Sequence, residues 1–422
     1  MEKVIKLASW ALSSFFLLTL IAQLLQLINI DLYIWQFMEV TFLMAGVLCL
    51  RKIIINGFDL LVLFYLFYII VNGIFIDYNH HGTLLYYALL CHVFPVMCYF
   101  IGRYTKIDIE VILKKMKYPL LFAMVSGIVF YFTHPAWYVV MKDAQINTGA
   151  SDMTVSEIYR LSSYWGHPYV IGYATFLYSI YITKELFVNK ISCRDERKKR
   201  YVNCCILFLC MFVLMLAQLR VTIVVYILAF FYIILFGKKE SLFFKTKKVL
   251  LMSCSFVIFL FLLTTFASSS INYISEHMLG LTEDNAFSDR FEHTSGGLVN
   301  YSLWGDGLGR YGFFARTYGR WAIVDQEFQT HAAELGYLGC SILFIIILIT
   351  LKKCIARPHY IVENIIMIFF FISMFGASVL SNSHQFNYIF WYTLGLFWSK
   401  TYLKSKYVTK HSFNCFKLSY KI

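Results

Sequence analysis

Long apolar stretches separated by short charged connectors narrow the possible folds of this chain more than any other feature. A helix that crosses a bilayer needs roughly 20 mainly apolar residues, with 17 to 25 as the usual range. Twelve candidates lie along the chain: Leu7–Ile28, Tyr33–Leu50, Leu60–Ile76, Thr83–Gly102, Tyr118–Phe132, Gly166–Val188, Val202–Leu219, Val221–Phe236, Val249–Ala267, Leu335–Leu351, Ile361–Leu380 and Phe386–Trp398. The fifth and the twelfth are short. Of the 422 residues 59% are hydrophobic and 14% charged, whereas a soluble domain carries roughly a quarter charged residues. The expected fold is therefore an all-α polytopic membrane protein of about twelve transmembrane helices, with residues 1–422 forming a single integral membrane domain.

Two segments need a further argument. Between Tyr201 and Gly237 the only charge is Arg220, and one continuous helix there would run to roughly 55 Å. A tight hairpin with Arg220 at its tip is expected instead. The first segment follows Lys3 and Lys6 as a signal peptide would, but its apolar run is too long and lacks a small-residue cleavage site, so a retained anchor is expected.

The net charge of +13 would suggest nucleic acid in a soluble protein; here its distribution gives topology. With the amino terminus in the cytoplasm, 30 of the 37 Lys and Arg residues fall on the cytoplasmic side, as do both termini. The outer side keeps Lys142, Arg160, Arg220, Arg290, Arg310, Arg316 and Arg320. Such a split is the expected bias of a multi-pass protein, and no nucleic-acid partner is implied. The eleven cysteines all fall in spans or cytoplasmic loops, and none has zinc-site spacing with matching histidines. Neither disulfides nor a structural metal is expected.

Most connections are short, but the extracytoplasmic loops 134–165 and 268–334 are long, which usually marks function or disorder. Both carry aromatics and glycines, including Trp137, Trp165, Trp304, Trp321 and the run from Trp304 to Gly312. That composition suits stacking on sugars and equally suits rest in the membrane interface. Arginines kept outside against the topological bias offer a planar fork for phosphate, or they pair with loop acids such as Asp289, Glu292 and Asp306. Arg220, between two apolar helices, either snorkels to headgroups or meets an anion. Asp325, Glu327, His331 and Glu334 collect where the tenth span begins, as a base cluster or as the acidic start of a helix. Two motif matches carry little weight. Gly307-x-Gly309-x-x-Gly312 lacks the preceding strand of a dinucleotide site, and His331-Ala-Ala-Glu334 lacks the second histidine of a zinc protease.

The sequence resembles the O-antigen polymerase and ligase superfamily of bacterial envelope glycosyltransferases. Four pieces carry the resemblance, in that family's order: Arg160 with Ser162, Gly166, His167 and Pro168; Arg220 with Val221-Thr222 between two spans; Ser288-Asp289-Arg290 followed by Leu303 to Gly309; and Asp325 to Gln329 followed by Glu334-Leu335-Gly336-Tyr337-Leu338-Gly339. Leu219 stands where the family has Ser. Asp325 stands where the ligase branch commonly has His, which favours the polymerase branch.

The resemblance implies a GT-C-like membrane glycosyltransferase of the Wzy type. Such an enzyme joins oligosaccharide repeat units carried on undecaprenyl pyrophosphate into O antigen or capsule, at the outer face of the bacterial cytoplasmic (inner) membrane. It implies that Arg220 and Arg290, then Arg160 and Arg310, bind the substrate pyrophosphate. Asp325 or Glu334 would act on the acceptor hydroxyl, with His331 as the reserve base, and no cofactor or metal is implied. Membrane lipid, a chain-length regulator and a flippase are the partners to be expected. The alternatives are a ligase that transfers polysaccharide to lipid A core, a flippase or transporter for the lipid-linked oligosaccharide, and a non-catalytic membrane scaffold, which leaves the outer arginines unexplained.

Overall fold

The computed structural model describes residues 2–26, 30, 33–75, 82–138, 160–165, 168–188, 194–236, 301–311, 327–375, 380 and 386–400. These residues form helices and turns, with no strand among them. In chain order the helices are α1 (Glu2–Ser13), α2 (Phe15–Gln26), α3 (Ile34–Leu50), α4 (Gly57–Phe75), α5 (Gly82–Thr105), α6 (Ile109–Lys115), α7 (Lys117–Thr133), α8 (Pro168–Val188), α9 (Arg194–Leu216), α10 (Arg220–Phe236), α11 (Glu327–Glu334), α12 (Gly336–Ala356) and α13 (Ile361–Ser373), followed by α14 at 386–400. Among the described residues, helices occupy the expected segments; Val249–Ala267 lies outside the described residues.

By length and composition, three helical stretches suffice to cross a membrane, Gly57–Ile74, Lys198–Leu216 and Gly336–Ala356. Two bent pairs raise the number to five if each counts as one span: Glu2–Ser13 with Phe15–Leu25, and Ile109–Lys115 with Lys117–Thr133. The described chain has the architecture of a helical membrane protein. Three sequence expectations are corrected in detail. The first span is broken at Ser14, where α1 and the following helix meet at 72°. The turn near Arg220 falls at Ala217–Leu219, with Gln218 at a φ of 55°, and Arg220 opens α10 instead of forming the tip. The end of the second long loop is helical, as α11.

Contacts divide the chain into two compact units, residues 1–119 with 300–422, and residues 120–299. In the first unit α3 packs along α5, while α4 packs on α5 and α12. Helix α4 shows why. Leu60, Phe64, Phe67 and Ile74 are exposed, as a lipid-facing stripe would be, whereas Val62, Tyr65, Tyr68, Ile69 and Asn72 are buried at helical spacing. Helix α14 is buried along nearly its whole length. Its rings interlock with the others: Trp391 stacks on Tyr65 at 5.8 Å and Trp398 on Phe58 at 3.7 Å between centroids.

The start of α4 is a reciprocal cap. Asn56 Oδ1 accepts from the Phe58 and Asp59 amides, and Asp59 Oδ2 accepts from the Asn56 amide at 2.9 Å. The same Asp59 carboxylate receives Arg103 of α5 through Nε and Nη2, both at 2.8 Å, and the Tyr99 hydroxyl. A bidentate pair of this kind sits buried among apolar helices because every carboxylate oxygen is met by a donor.

In the second unit α8 is central, with α9 and α10 both packed on it. Surrounded on its faces, it tolerates a polar row of Thr175, Ser179 and Thr183, whose hydroxyls turn inward: Ser179 Oγ donates to the Phe176 carbonyl, and Thr183 Oγ1 lies 2.8 Å from Tyr226 Oη.

Candidate functional site

In the first unit, Glu327, His331 and Glu334 fall at i, i+4 and i+7 of α11, so one helix face gathers all three. All are buried, at 0%, 1% and 1% exposure. Glu327 is held at both ends: its amide donates to the Met374 carbonyl, and its Oε2 accepts from the Leu380 amide at 2.6 Å. His331 Nδ1 lies 2.9 Å from Glu327 Oε1 and 3.1 Å from the Glu327 carbonyl. Because that nitrogen meets only acceptors, it carries the proton, and Nε2 in the neutral ring accepts from Tyr65 Oη at 3.1 Å.

Glu334 ends α11 and ties three elements together. Its Oε2 lies 3.4 Å from His92 Nε2 on α5, and its Oε1 accepts from the Tyr311 amide at 2.9 Å. The His92 and His331 rings meet edge to face at 5.1 Å. Between Glu334 and α12 the chain turns sharply at Leu335 and Gly336.

The glycine-rich loop 301–311 fits into that turn. The Asp306 and Gly307 amides donate to the Ala333 and Glu334 carbonyls, at 2.9 and 3.1 Å. In return the Tyr337 and Leu338 amides, unpaired donors in the first turn of α12, donate to the Ser302 and Leu303 carbonyls. From α4, Asn72 Nδ2 donates to the Trp304 carbonyl at 2.7 Å and Tyr68 Oη to the Leu335 carbonyl at 2.6 Å. The loop backbone is thereby pinned, while Leu303, Trp304 and Arg310 stay exposed.

The expected site residues separate as follows. His331, Glu334 and Arg310 belong to this unit. Arg310 does not pair with the Asp306 carboxylate, which receives the Tyr311 hydroxyl at 2.6 Å; its Nη1 approaches the Asp306 carbonyl at 3.5 Å and its guanidinium lies over the Tyr311 ring. Arg160 and Arg220 belong to the second unit. There the Leu161 amide donates to the Leu216 carbonyl at 3.0 Å, which sets the Arg160 turn against the helix break that precedes Arg220. The backbone of Arg220 is helical and its side chain is not described. Arg290 and Asp325 lie outside the described residues.

His92, Tyr65, Tyr68 and Asn72 were not picked out in the sequence. The histidine stands inside an apolar segment, where a lone polar residue already signals a partner, but nothing local names that partner. Among the described residues no three His, Cys, Asp or Glu side chains converge as a metal site would require.

Burial alone would lower the pKa of His331, yet the hydrogen bond to and charge of Glu327, with the charge of Glu334, outweigh it and hold it above the ordinary 6.5. Burial would raise that of Glu334, but the His92 contact and the Tyr311 amide bring it below the ordinary 4.5. Ionised Glu334 thus contributes stability that is full above 4.5 and lost as pH falls through its folded pKa. Protonated His331 contributes stability that is full below 6.5 and lost as pH rises through its folded pKa. The thermal midpoint in detergent is expected to peak between these values and fall on both sides. His331→Gln should flatten the alkaline limb; an unchanged alkaline decline in that variant would show that His331 is not its source.

No protein-family model matches the chain, and no curated protein matches it either. The fold and site define a helical membrane protein in which a buried carboxylate and histidine cluster anchors a glycine-rich loop.

Proposed function

We propose that the protein is a membrane glycosyltransferase that polymerises undecaprenyl-pyrophosphate-linked oligosaccharide repeat units into surface polysaccharide. In this reading it has twelve spans and two cytoplasmic termini in the bacterial inner membrane, with a GT-C-like arrangement working at the outer face. One observation carries it. Two pieces of the family resemblance, the loop from Leu303 to Gly309 and the Glu334-Leu335-Gly336 helix start, are docked on each other by paired backbone hydrogen bonds. Resemblances that arose by chance in separate stretches would have no reason to interlock.

In the proposed reaction the acceptor hydroxyl attacks the anomeric carbon of the donor sugar. The bond from that carbon to the pyrophosphate oxygen breaks, and its electron pair leaves with the lipid pyrophosphate. Arg220 and Arg290, with Arg160 and Arg310, stabilise that developing charge. Asp325 takes the hydroxyl proton. Glu334, buried, acts by holding the loop that presents Arg310, and His331, paired with Glu327 and Tyr65, steadies the helix that carries it.

Deletion of the gene tests this reading against its rivals. A polymerase leaves single repeat units without long chains, loss of attachment with intact polymer points to a ligase, and repeats trapped in the cytoplasm point to a flippase. Arg220→Ala and Arg290→Ala are each expected to reduce polymer by about 100-fold or more at normal membrane levels. Full-length polymer in both variants would remove the assignment. Cysteine labelling at Lys198 from the cytoplasm and at Gly297 from outside checks the orientation.

A further inference from the structure

Among the described residues, the loop's carboxylate anchor is met from α5 by His92 at ion-pair distance. This residue lies in the middle of α5 and is 5% exposed. Its Nε2 faces Glu334 Oε2 at 3.4 Å, on the side of the carboxylate opposite the Tyr311 amide. The surroundings fix the ring in that place. The neighbouring Cys91 carbonyl accepts from Asn387 Nδ2 of α14, and the same amide donates to the Leu380 carbonyl at 2.7 Å. Leu380 in turn donates its amide to Glu327, and Glu327 holds His331, whose ring abuts His92. The backbone beside His92 is therefore tied to the same network that orients α11.

A carboxylate with one oxygen bonded to the Tyr311 amide and the other 3.4 Å from an imidazole cannot rotate without lengthening at least one of these contacts. Remove the imidazole, and Glu334 is a buried charge with reason to turn toward any other donor, leaving the Tyr311 amide unmet. Tyr311 directly follows Arg310 and its ring lies beneath the guanidinium, so this bond adds to the backbone contacts that set where the guanidinium stands.

We propose that His92 is a positioning residue: acting through Glu334, it fixes the 301–311 loop and hence the placement of Arg310 toward an anionic, lipid-linked ligand. The ligand class rests on the polymerase reading; the effect on the loop does not.

The contact is made by Nε2, so the test turns on which imidazole nitrogen a substitute reproduces. Glutamine places its amide nitrogen near the position of Nε2, whereas asparagine reaches only as far as Nδ1. Hydrogen exchange of the full chain in lipid nanodiscs reads the loop directly, and polymer formation in cells reads activity. In His92→Ala and His92→Asn, amides within 301–311 are expected to exchange about tenfold faster, with α14 unchanged. In His92→Gln the loop should exchange within about twofold of the parent.

If the loop exchanges at the parental rate in His92→Asn, or if His92→Gln loosens it as much as His92→Asn does, the proposal is overturned. Should His92→Ala fail to fold, the asparagine and glutamine pair still decides it. A loosened loop in His92→Asn with undiminished polymer would keep the positioning role and overturn the part assigned to Arg310 in the polymerase reading.

Discussion

Asp59→Ala is expected to destabilise the protein by about 3–5 kcal/mol, the range for breaking a buried ion pair from one side. The guanidinium of Arg103 would lose two charge-assisted bonds of 2.8 Å while remaining 6% exposed. The α4 cap would lose the acceptor for the Asn56 amide, and Tyr99 its carboxylate. Because the same side chain serves cap, ion pair and tyrosine, the loss should exceed that of an ordinary N-terminal cap, about 1 kcal/mol. The thermal midpoint in detergent and the amount reaching the membrane would both fall. An apolar pair, Asp59→Leu with Arg103→Met, should recover much of the stability by removing both charges together. If Asp59→Ala melts with the parent protein, the pair is not buried as described.

The second large effect is expected at the interlock between loop and helix. Gly305 and Gly336 have φ of 81° and 71°, a region where a side chain is strained. A Cβ on Gly305 would also collide with the Glu334 carbonyl and the Gly336 amide nitrogen, and one on Gly336 with the Leu303 carbonyl and the Gly305 amide nitrogen. The obstacles are backbone atoms, so no side-chain rotation relieves them. Gly336→Ala and Gly305→Ala should each cost about 3 kcal/mol or more and loosen 301–311 in hydrogen exchange. Gly57→Ala is the control: its Cβ would meet nothing within 4 Å, and stability should stay within about 0.5 kcal/mol. Equal behaviour of all three variants would sink this account.

Particular residues show how far the sequence could be read. The helices of α4, α12 and the stretch 201–236 were legible because runs of Leu, Ile, Phe and Val at that length have few alternatives to helix. Helix ends were less so. The α4 start moved to Gly57 through the Asn56 and Asp59 cap, and the break near Arg220 settled at Ala217–Leu219. For the site, Glu334 and His331 were visible as titratable groups at a span edge, and Arg310 as a cation kept outside. Their environments were not visible. Helix α4 is apolar nearly all round in sequence, so nothing local distinguishes the exposed Phe64 from the buried Tyr65.

By itself, the sequence determined that the chain is helical, that it belongs with apolar surroundings and where its charges are concentrated, since these follow from local composition and helix length. The tertiary structure decided that Glu334 is an anchor shared by His92 and Tyr311, that Asp59 answers Arg103, and that two glycines far apart in the chain must stay bare to touch. Such pairings join residues through packing geometry, and a hydrogen bond or close approach between distant segments leaves no periodicity along the chain from which it could be read.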